Sequence, residues 1–323
     1  SGPVVMCAWE RVPWVAPPPF LDTRRPDVPD MVVAGCIVPF HLARSPVRGR
    51  LIRLGALADA LLSRHDNPKP VSEIAGQSLA LVAGMASALK FQGSFSLQIK
   101  GDGPVSTLLA DSTDRGDLRF FARLREDADR DALPESAKAI LGEGYLAFTV
   151  DQGPDMERHQ GVVDLAGDNL SDMAMHYFRT SEQHDCWIKL FCAHTDNGWR
   201  AGALILERIA AEGGIDVLEQ EDDAWETACT FAETLGEGEM FDEDLTSEDL
   251  IARLFGTLDV FSGTPRALAY GCRCSRARLA SVLERFSEDD LDHMVENGAV
   301  TMNCEFCNTG FSSTRDELGE RTT

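Results

Sequence analysis

The chain has 323 residues, a length typical of roughly two domains. Hydrophobic residues make up 44%, enough for a sizeable core, so a wholly disordered chain is excluded. The 30 Lys and Arg against 53 Asp and Glu give a net charge of −23, which argues against nucleic acid and anionic membranes as partners. The longest apolar run is too short to cross a bilayer and no secretory signal is visible, so we expect a cytoplasmic protein.

The first thirty residues differ from the rest of the chain. They contain seven prolines and no sustained periodicity, so residues 1–30 are expected to be a poorly ordered leader.

Residues 31–212 are predicted to form an α+β core domain. Apolar residues on one helical face predict a buried helix over 72–90. Strands that follow one another through short turns, with helices grouped elsewhere, are typical of an α+β fold. Alternating or apolar stretches predict strands at 95–99, 105–110, 118–124, 145–150 and 161–165, and helical spacing predicts helices near 168–179 and 200–211.

Residues 213–270 are predicted to be an acidic helical linker. The stretch 209–252 holds 15 Asp or Glu and no Lys, Arg or His, and a solvated linker is the simplest interpretation. Apolar residues nevertheless recur at helical spacing, in stripes built on Trp225, Phe255 and Leu258, and Thr246 can cap the second helix. Such stripes must dock on another surface or bind something when undocked.

Residues 271–323 are predicted to form a small module of two short helices and a strand at 299–303. Ser287 with Asp290 is expected to cap the second helix, and Gly298 to end it. So short a module cannot bury enough surface to be stable alone, so an additional cross-link, such as a bound metal ion or disulfides, is expected.

Four of the nine cysteines lie in this module, as a CxC pair, 29 intervening residues and a CxxC pair. In a reducing compartment such a cluster is metal-binding or redox-active. Zinc takes four thiolates tetrahedrally, so one Zn²⁺ per reduced chain is expected on Cys272, Cys274, Cys304 and Cys307.

Chemistry alone leaves three functions open for this module: a purely structural zinc ribbon, a ribbon that docks a fixed partner such as a nucleoprotein complex, and a redox sensor. The module is not markedly basic, which disfavours nucleic acid. Zinc-bound thiolates are nucleophilic towards peroxide or hypochlorite when solvent reaches them, which favours the sensor. No hydrolase, kinase or dinucleotide-binding motif is present, so no enzymatic activity is expected.

The cysteine motifs resemble those of the redox-regulated chaperone family heat-shock protein 33, and the resemblance extends over about residues 33–315. The family usually has tyrosine where this chain has His159 and Phe311. Further stretches that match family landmarks are 89–93 (LKFQG), 101–104 (GDGP), 144–145 (GY), 159–163 (HQGVV) and 181–183 (SEQ).

The resemblance implies a non-enzymatic, ATP-independent holdase of the oxidative stress response. Such a chaperone is inactive while zinc is bound. Oxidation forms disulfides, releases zinc, unfolds the module and destabilises the linker, so that a homodimer binds unfolding clients. On this resemblance, client binding and dimerisation are expected of residues 31–212, and Trp225, Phe255 and Leu258 are the expected switch and client-binding residues of the linker. The implied disulfides are Cys272–Cys274 and Cys304–Cys307. The alternative function is a structural zinc-ribbon interaction protein.

Overall fold

The structure, a computed structural model, describes residues 29, 31–43, 45–153, 155–209, 215–283 and 285–319. For 215–221, 277, 278 and 319 it describes the backbone alone. The expected leader lies outside the described residues except for Pro29. Two compact units are present: one is Asp30–Gly271, and the other contains the described residues from Cys272 onward.

In the described part of the larger unit, eleven strands form one sheet, in the order β7-β6-β3-β4-β5-β11-β1-β2-β9-β8 with β10 beside β1. All pairs are antiparallel except β5 with β11. The strands are β1 (Val32–Leu42), β2 (Val47–Arg53), β3 (Ser94–Gly101), β4 (Val105–Thr113), β5 (Asp117–Leu124), β6 (Gly144–Asp151), β7 (His159–Asp164), β8 (Cys186–Thr195), β9 (Gly198–Arg208), β10 (Val260–Ser262) and β11 (Arg266–Tyr270).

One long helix packs against this sheet. It is α2, and it begins just after Pro68, whose fixed φ suits a helix start. Its residues are buried on nearly every side because it packs on strands from both halves of the sheet. The helices of the unit are α1 (Ala56–Leu62), α2 (Lys69–Ala88), α3 (Ala137–Leu141), α4 (Leu170–Thr180), α5 (Ile215–Glu233), α6 (Glu237–Met240) and α7 (Ser247–Phe255), with a 3₁₀ turn at Gly256–Leu258.

The predicted α+β class is confirmed, as are the helix over 72–90, the five strands and the helix near 168–179. The helix predicted at 200–211 is wrong, because Gly198–Arg208 is strand β9. Alternate residues of β9 enter different cores: Ala203 and Ile205 pack with α2, whereas Leu204 and Leu206 face α5 and α7. Burial on both faces produces a continuous apolar run, from which periodicity cannot separate a strand from a buried helix.

We call the predicted linker, residues 213–270, the acidic segment. From Ile215 it forms helices α5, α6 and α7 and the 3₁₀ turn, and it then contributes strands β10 and β11 to the sheet. The predicted cap is present, since the backbone N–H of Asp249 donates to Thr246 Oγ1 at 3.1 Å. Sequence analysis did not predict the two strands that follow. Strand β10 pairs with β1, and β11 lies between β1 and β5.

The smaller unit is a hairpin with three short helices. The predicted cap of its second helix is present, with the Asp290 N–H donating to Ser287 Oγ at 3.2 Å. The apolar core of its described residues is small: Leu283, Leu291 and Val300 form one cluster, and Ala280 and Phe311 are also buried. The elements are α8 (Arg276–Leu283), α9 (Glu288–His293), β12 (Ala299–Asn303), β13 (Gly310–Thr314) and α10 (Arg315–Gly319).

Candidate metal centre and the covered face of the sheet

The smaller unit brings the four C-terminal cysteines together. The sulfurs of Cys272 and Cys304 are 3.7 Å apart and those of Cys274 and Cys307 are 3.5 Å apart. All four sulfurs lie within 4.8 Å of one another. Each cysteine is at most 9% exposed and all four are free thiols.

Local structure explains how each pair is held. Cys304 and Cys307 occupy the turn that joins β12 to β13, where the Cys304 N–H donates to Thr309 O at 2.9 Å and the Asn308 N–H to Cys304 O at 2.7 Å. Asn308 takes the left-handed conformation, φ +57°, which asparagine tolerates better than most residues. The other pair lies on the stretch just before α8, where Ser275 O accepts from the Leu279 N–H at 3.1 Å.

The crowded sulfurs divide their protons unequally. Hydrogen bonds from Cys272 and then Cys274 lower the pKa of Cys304 to about 7, and the same neighbours, in the same order, lower the pKa of Cys307. The pKa values of Cys272 and Cys274 are raised, so these two sulfurs keep their protons as the donors of those hydrogen bonds. Thiolates are therefore accessible near neutral pH at Cys304 and Cys307, and a cation among the sulfurs would favour the loss of the remaining protons.

The donor set fits a tetrahedral metal ion. Zinc–thiolate bonds of about 2.3 Å place tetrahedral ligand sulfurs about 3.8 Å apart, close to the 3.5 and 3.7 Å separations in this cluster. Four sulfur ligands complete the coordination shell, so the arrangement corresponds to a closed, structural type of site. Bound there, zinc would hold the sulfurs as thiolates and link the hairpin turn to the start of α8.

A second group of possible ligands among the described residues does not fit a metal. His184, Cys186 and Glu207 place one ligand atom each within 4.8 Å of the others. The Glu207 carboxylate, however, already accepts from Arg50 at 2.8 Å and Arg48 at 3.0 Å. The two guanidinium groups repel a metal cation, and they already neutralise the negative charge of the carboxylate that would bind it.

In the larger unit the acidic segment covers one face of the sheet. Its apolar residues include Ala228 and Ala232 of α5, Met240 of α6, and Leu254 and Phe255 of α7, and each is at most 4% exposed. We call the sheet residues beneath them the covered face: Val38, Phe40, Leu42, Val47, Leu51, Phe191, Leu204 and Leu206.

The three residues that sequence analysis proposed for the switch all belong to this contact. Phe255 is fully buried and stacks on Phe40, with ring centroids 5.1 Å apart. Trp225 and Leu258 are half-buried at the border of the same cluster. The contact therefore centres on Phe255, and the other two residues are peripheral.

Polar contacts that sequence analysis missed also hold the acidic segment. Arg53 of β2 donates from Nε to Met240 O at 2.9 Å and from Nη1 to Leu245 O at 2.6 Å, and its Nη2 donates to Asp242 O. One guanidinium thus binds three carbonyls of the α6–α7 connection. No sequence pattern pairs an arginine with backbone carbonyls nearly 190 residues away.

Comparisons with known proteins identify relatives that match most of the chain. A family model described as "Hsp33 protein" matches residues 36–314. A protein named "33 kDa chaperonin" from Caulobacter vibrioides is 37% identical over 289 residues, covering 86% of this chain and 95% of the relative. One from Shewanella woodyi is 33% identical over 271 residues, covering 82% and 88%.

A solved structure is also similar. It is a 33 kDa chaperonin (heat shock protein 33 homolog) from Thermotoga maritima, with a TM-score of 0.70 at 21% identity. The match covers 88% of this chain and 97% of that one. At this identity the likeness establishes the fold.

The family model and the relatives, which match most of the chain, define a protein of the chaperone class. The chain belongs to the Hsp33 family. The predicted resemblance is thereby confirmed. In the described part of the chain, no helix is long and apolar enough to span a membrane.

Proposed function

We propose that the chain is a redox-regulated, ATP-independent holdase, cytoplasmic and without enzymatic activity. In the reduced state it binds one Zn²⁺ through the four C-terminal cysteines and is inactive. Oxidation forms disulfides within the CxC and CxxC pairs and releases the metal. The active protein then binds unfolding clients as a homodimer.

The observation that carries the proposal is the convergence of four thiols in a unit with little other core. Each disulfide requires the loss of two electrons: two thiolates, one hypochlorous acid and one proton give a disulfide, chloride and water. The four sulfurs are near enough for several pairings. Once the metal is lost and the unit unfolds, loop entropy favours the pairs closest in sequence, Cys272 with Cys274 and Cys304 with Cys307.

The remaining described cysteines are poorly suited to react. Burial raises the pKa of Cys36, Cys186 and Cys229 to about 12. At neutral pH they are almost entirely thiols, and the thiolate is the nucleophile. The lowered pKa values of Cys304 and Cys307 make these two the more reactive thiols, and bound zinc would hold all four C-terminal cysteines as thiolates, which supports selective oxidation of the cluster.

The covered face supplies the candidate client surface. It is apolar, it belongs to the larger unit, and in the quiescent chain the acidic segment occupies it. Detachment of that segment would leave two apolar surfaces able to bind unfolding proteins. Within the segment 213–270, the helical part before β10 is therefore the proposed switch between the quiescent and active states, since β10 and β11 are strands of the sheet itself.

The test is an aggregation assay with a thermally unfolding client. Reduced, zinc-bound protein is expected to leave aggregation unchanged, and hypochlorite-treated protein to suppress it without ATP. Peptide mapping of the treated protein should give mainly Cys272–Cys274 and Cys304–Cys307. Cys186→Ser serves as the control variant and should behave like the parent.

The alternative, a structural zinc ribbon, predicts a different result. Such a protein would retain zinc under the same mild oxidation and would not suppress aggregation. Size-exclusion chromatography with light scattering, before and after oxidation, tests the homodimer separately.

A further inference from the structure

Basic side chains of the sheet surround the covered face and pair with the acidic segment. Arg200 of β9 contacts Glu243 Oε1 at 2.9 Å through Nε and at 2.7 Å through Nη2. Lys189 of β8 donates to the backbone carbonyl of Glu233 at 3.0 Å, and Trp187 Nε1 donates to its carboxylate at 3.1 Å.

Two further arginines extend this border. Arg208 pairs with Asp222 of α5. Arg53 binds the carbonyls of the α6–α7 connection and also interacts with the charges of Asp242, Glu243 and Glu248. We call Arg53, Lys189, Arg200 and Arg208 the basic rim.

The rim lies underneath the acidic segment. The Lys189, Arg200 and Arg208 side chains are 32%, 9% and 23% exposed, whereas their partners are 57–63% exposed. The acidic side chains therefore lie on the outside of the contact and the basic ones beneath it. Removal of the segment would uncover an apolar surface bordered by positive charge.

Acidic groups of the sheet do not cancel this charge. Glu207 is held by both Arg48 and Arg50, so that trio keeps a net positive charge. Asp185 lies near enough to influence Cys229 and offsets part of the positive charge. The acidic partners described for Lys189, Arg200 and Arg208 all belong to the acidic segment, so its removal leaves the rim more positive.

We propose that the uncovered face selects client segments that are apolar and flanked by acidic residues. This inference rests on the proposed holdase function and specifies its substrate class. The acidic segment is the template: it occupies the face through buried apolar side chains, with carboxylates at their flanks. The apolar centre supplies affinity, and the rim supplies the selection between clients.

The whole chain would favour the opposite preference. Its net charge is −23, which at long range attracts basic and repels acidic segments. The basic rim therefore predicts tighter binding of apolar segments with acidic flanks, whereas the overall charge predicts tighter binding of those with basic flanks. A comparison of the two kinds of segment distinguishes these predictions.

The experiment uses hypochlorite-oxidised, full-length protein and two fluorescent peptides. Both share one apolar core, and one carries three glutamates at each end while the other carries three lysines. Fluorescence anisotropy at low salt should show about tenfold tighter binding of the glutamate peptide, since a few border ion pairs suffice for such a ratio. The ratio should fall towards one at about 1 M NaCl.

A variant ties the preference to the rim. Arg200→Gln with Arg208→Gln should reduce the ratio severalfold, whereas Arg158→Gln, which removes an exposed partner of Asp151 on β6, should leave it unchanged. Circular dichroism of each variant verifies folding. Equal binding, or tighter binding of the lysine peptide, by protein that still suppresses aggregation overturns the inference and leaves the holdase function intact. Oxidised protein that neither suppresses aggregation nor binds a peptide overturns both.

Discussion

The four cysteines show what spacing along a chain can and cannot specify. The CxC and CxxC pairs are predicted as metal ligands because the two cysteines of each pair are close in sequence and because a small unit needs a stabilising cross-link. The separations of 3.5 and 3.7 Å join a residue of one pair to a residue of the other, more than 30 positions away. Spacing alone does not specify which residues face each other across the cluster, because the hairpin turn and the start of α8 together decide it.

At this scale the first prediction concerns Cys304. The substitution Cys304→Ser replaces one of the four sulfur ligands with a hydroxyl oxygen, which binds zinc more weakly, so the affinity for zinc should fall steeply. Metal analysis after dialysis against a chelator should give about one zinc per chain for the parent and little for the variant. Cys186→Ser is the matched control and should retain the metal. Full retention by Cys304→Ser would show that other ligands hold it.

A second residue prediction concerns the buried ion pair of Glu207 and Arg50, whose side chains are 7% and 8% exposed. Glu207→Gln leaves Arg50 buried without its counter-charge and should lower the free energy of unfolding by about 3 kcal/mol. Chemical denaturation at neutral pH measures this. The control is Glu73→Gln, which breaks the pair of a half-buried carboxylate with the exposed Lys69 and should cost about 0.5 kcal/mol.

The same pair predicts a pH dependence. Burial acts to raise the pKa of Glu207, but Arg50 and then Arg48 outweigh it, so the folded-state pKa lies below the ordinary 4.5. A group with a lowered pKa contributes stability above its unfolded value, and this contribution is lost as pH falls through the folded value. The difference between parent and Glu207→Gln should therefore be constant near neutrality and shrink below about pH 4. A difference that grows in acid would contradict this assignment.

At the scale of elements, the secondary structure is hardest to predict from sequence for strands that are buried on both faces. Helix α2 and strand β3 were predicted because each has a clear period of its own. Strand β9 was misassigned as a helix because one face meets α2 and the other meets the acidic segment. Strands β10 and β11 were missed since both are short and their partners are distant in sequence. Local patterns do not carry such pairings.

The element-scale prediction tests whether the acidic segment is the switch. Phe255→Ser with Leu258→Ser removes the buried ring that stacks on Phe40 and a half-buried neighbour. Truncating a buried Phe costs about 3–5 kcal/mol, whereas like charges already make isolated acidic helices marginal. The variant should therefore suppress client aggregation partly in the reduced state and be cut by protease within 213–270.

The matched control is Phe261→Ser on β10. This residue is the same type in the same segment, but it is 54% exposed and stacks on His41. It should remain quiescent until oxidised. A Phe255 and Leu258 variant as quiescent and protease-resistant as the parent would exclude the segment as the switch.

At the scale of the whole molecule, the two units differ in what holds them together. The larger unit has an extensive apolar core around α2 and a second one beneath the acidic segment. Apart from its cysteines, the described part of the smaller unit buries five apolar side chains, Ala280, Leu283, Leu291, Val300 and Phe311. A core of that size contributes little against chain entropy, so the smaller unit should depend on its metal.

Removing the metal without oxidation is the test at this scale. Apparent zinc-binding free energies of about 10–16 kcal/mol in small zinc modules far exceed what the smaller core supplies. A strong chelator with a phosphine reductant should therefore unfold Cys272–Thr323 and leave the larger unit folded. Limited proteolysis should cut the smaller unit first, and re-added zinc should restore resistance. Because the reductant keeps the cysteines reduced, an aggregation assay under the same conditions separates metal loss from disulfide formation. If the smaller unit stays protease-resistant without metal, its own packing is sufficient to keep it folded, and zinc is not required for its stability.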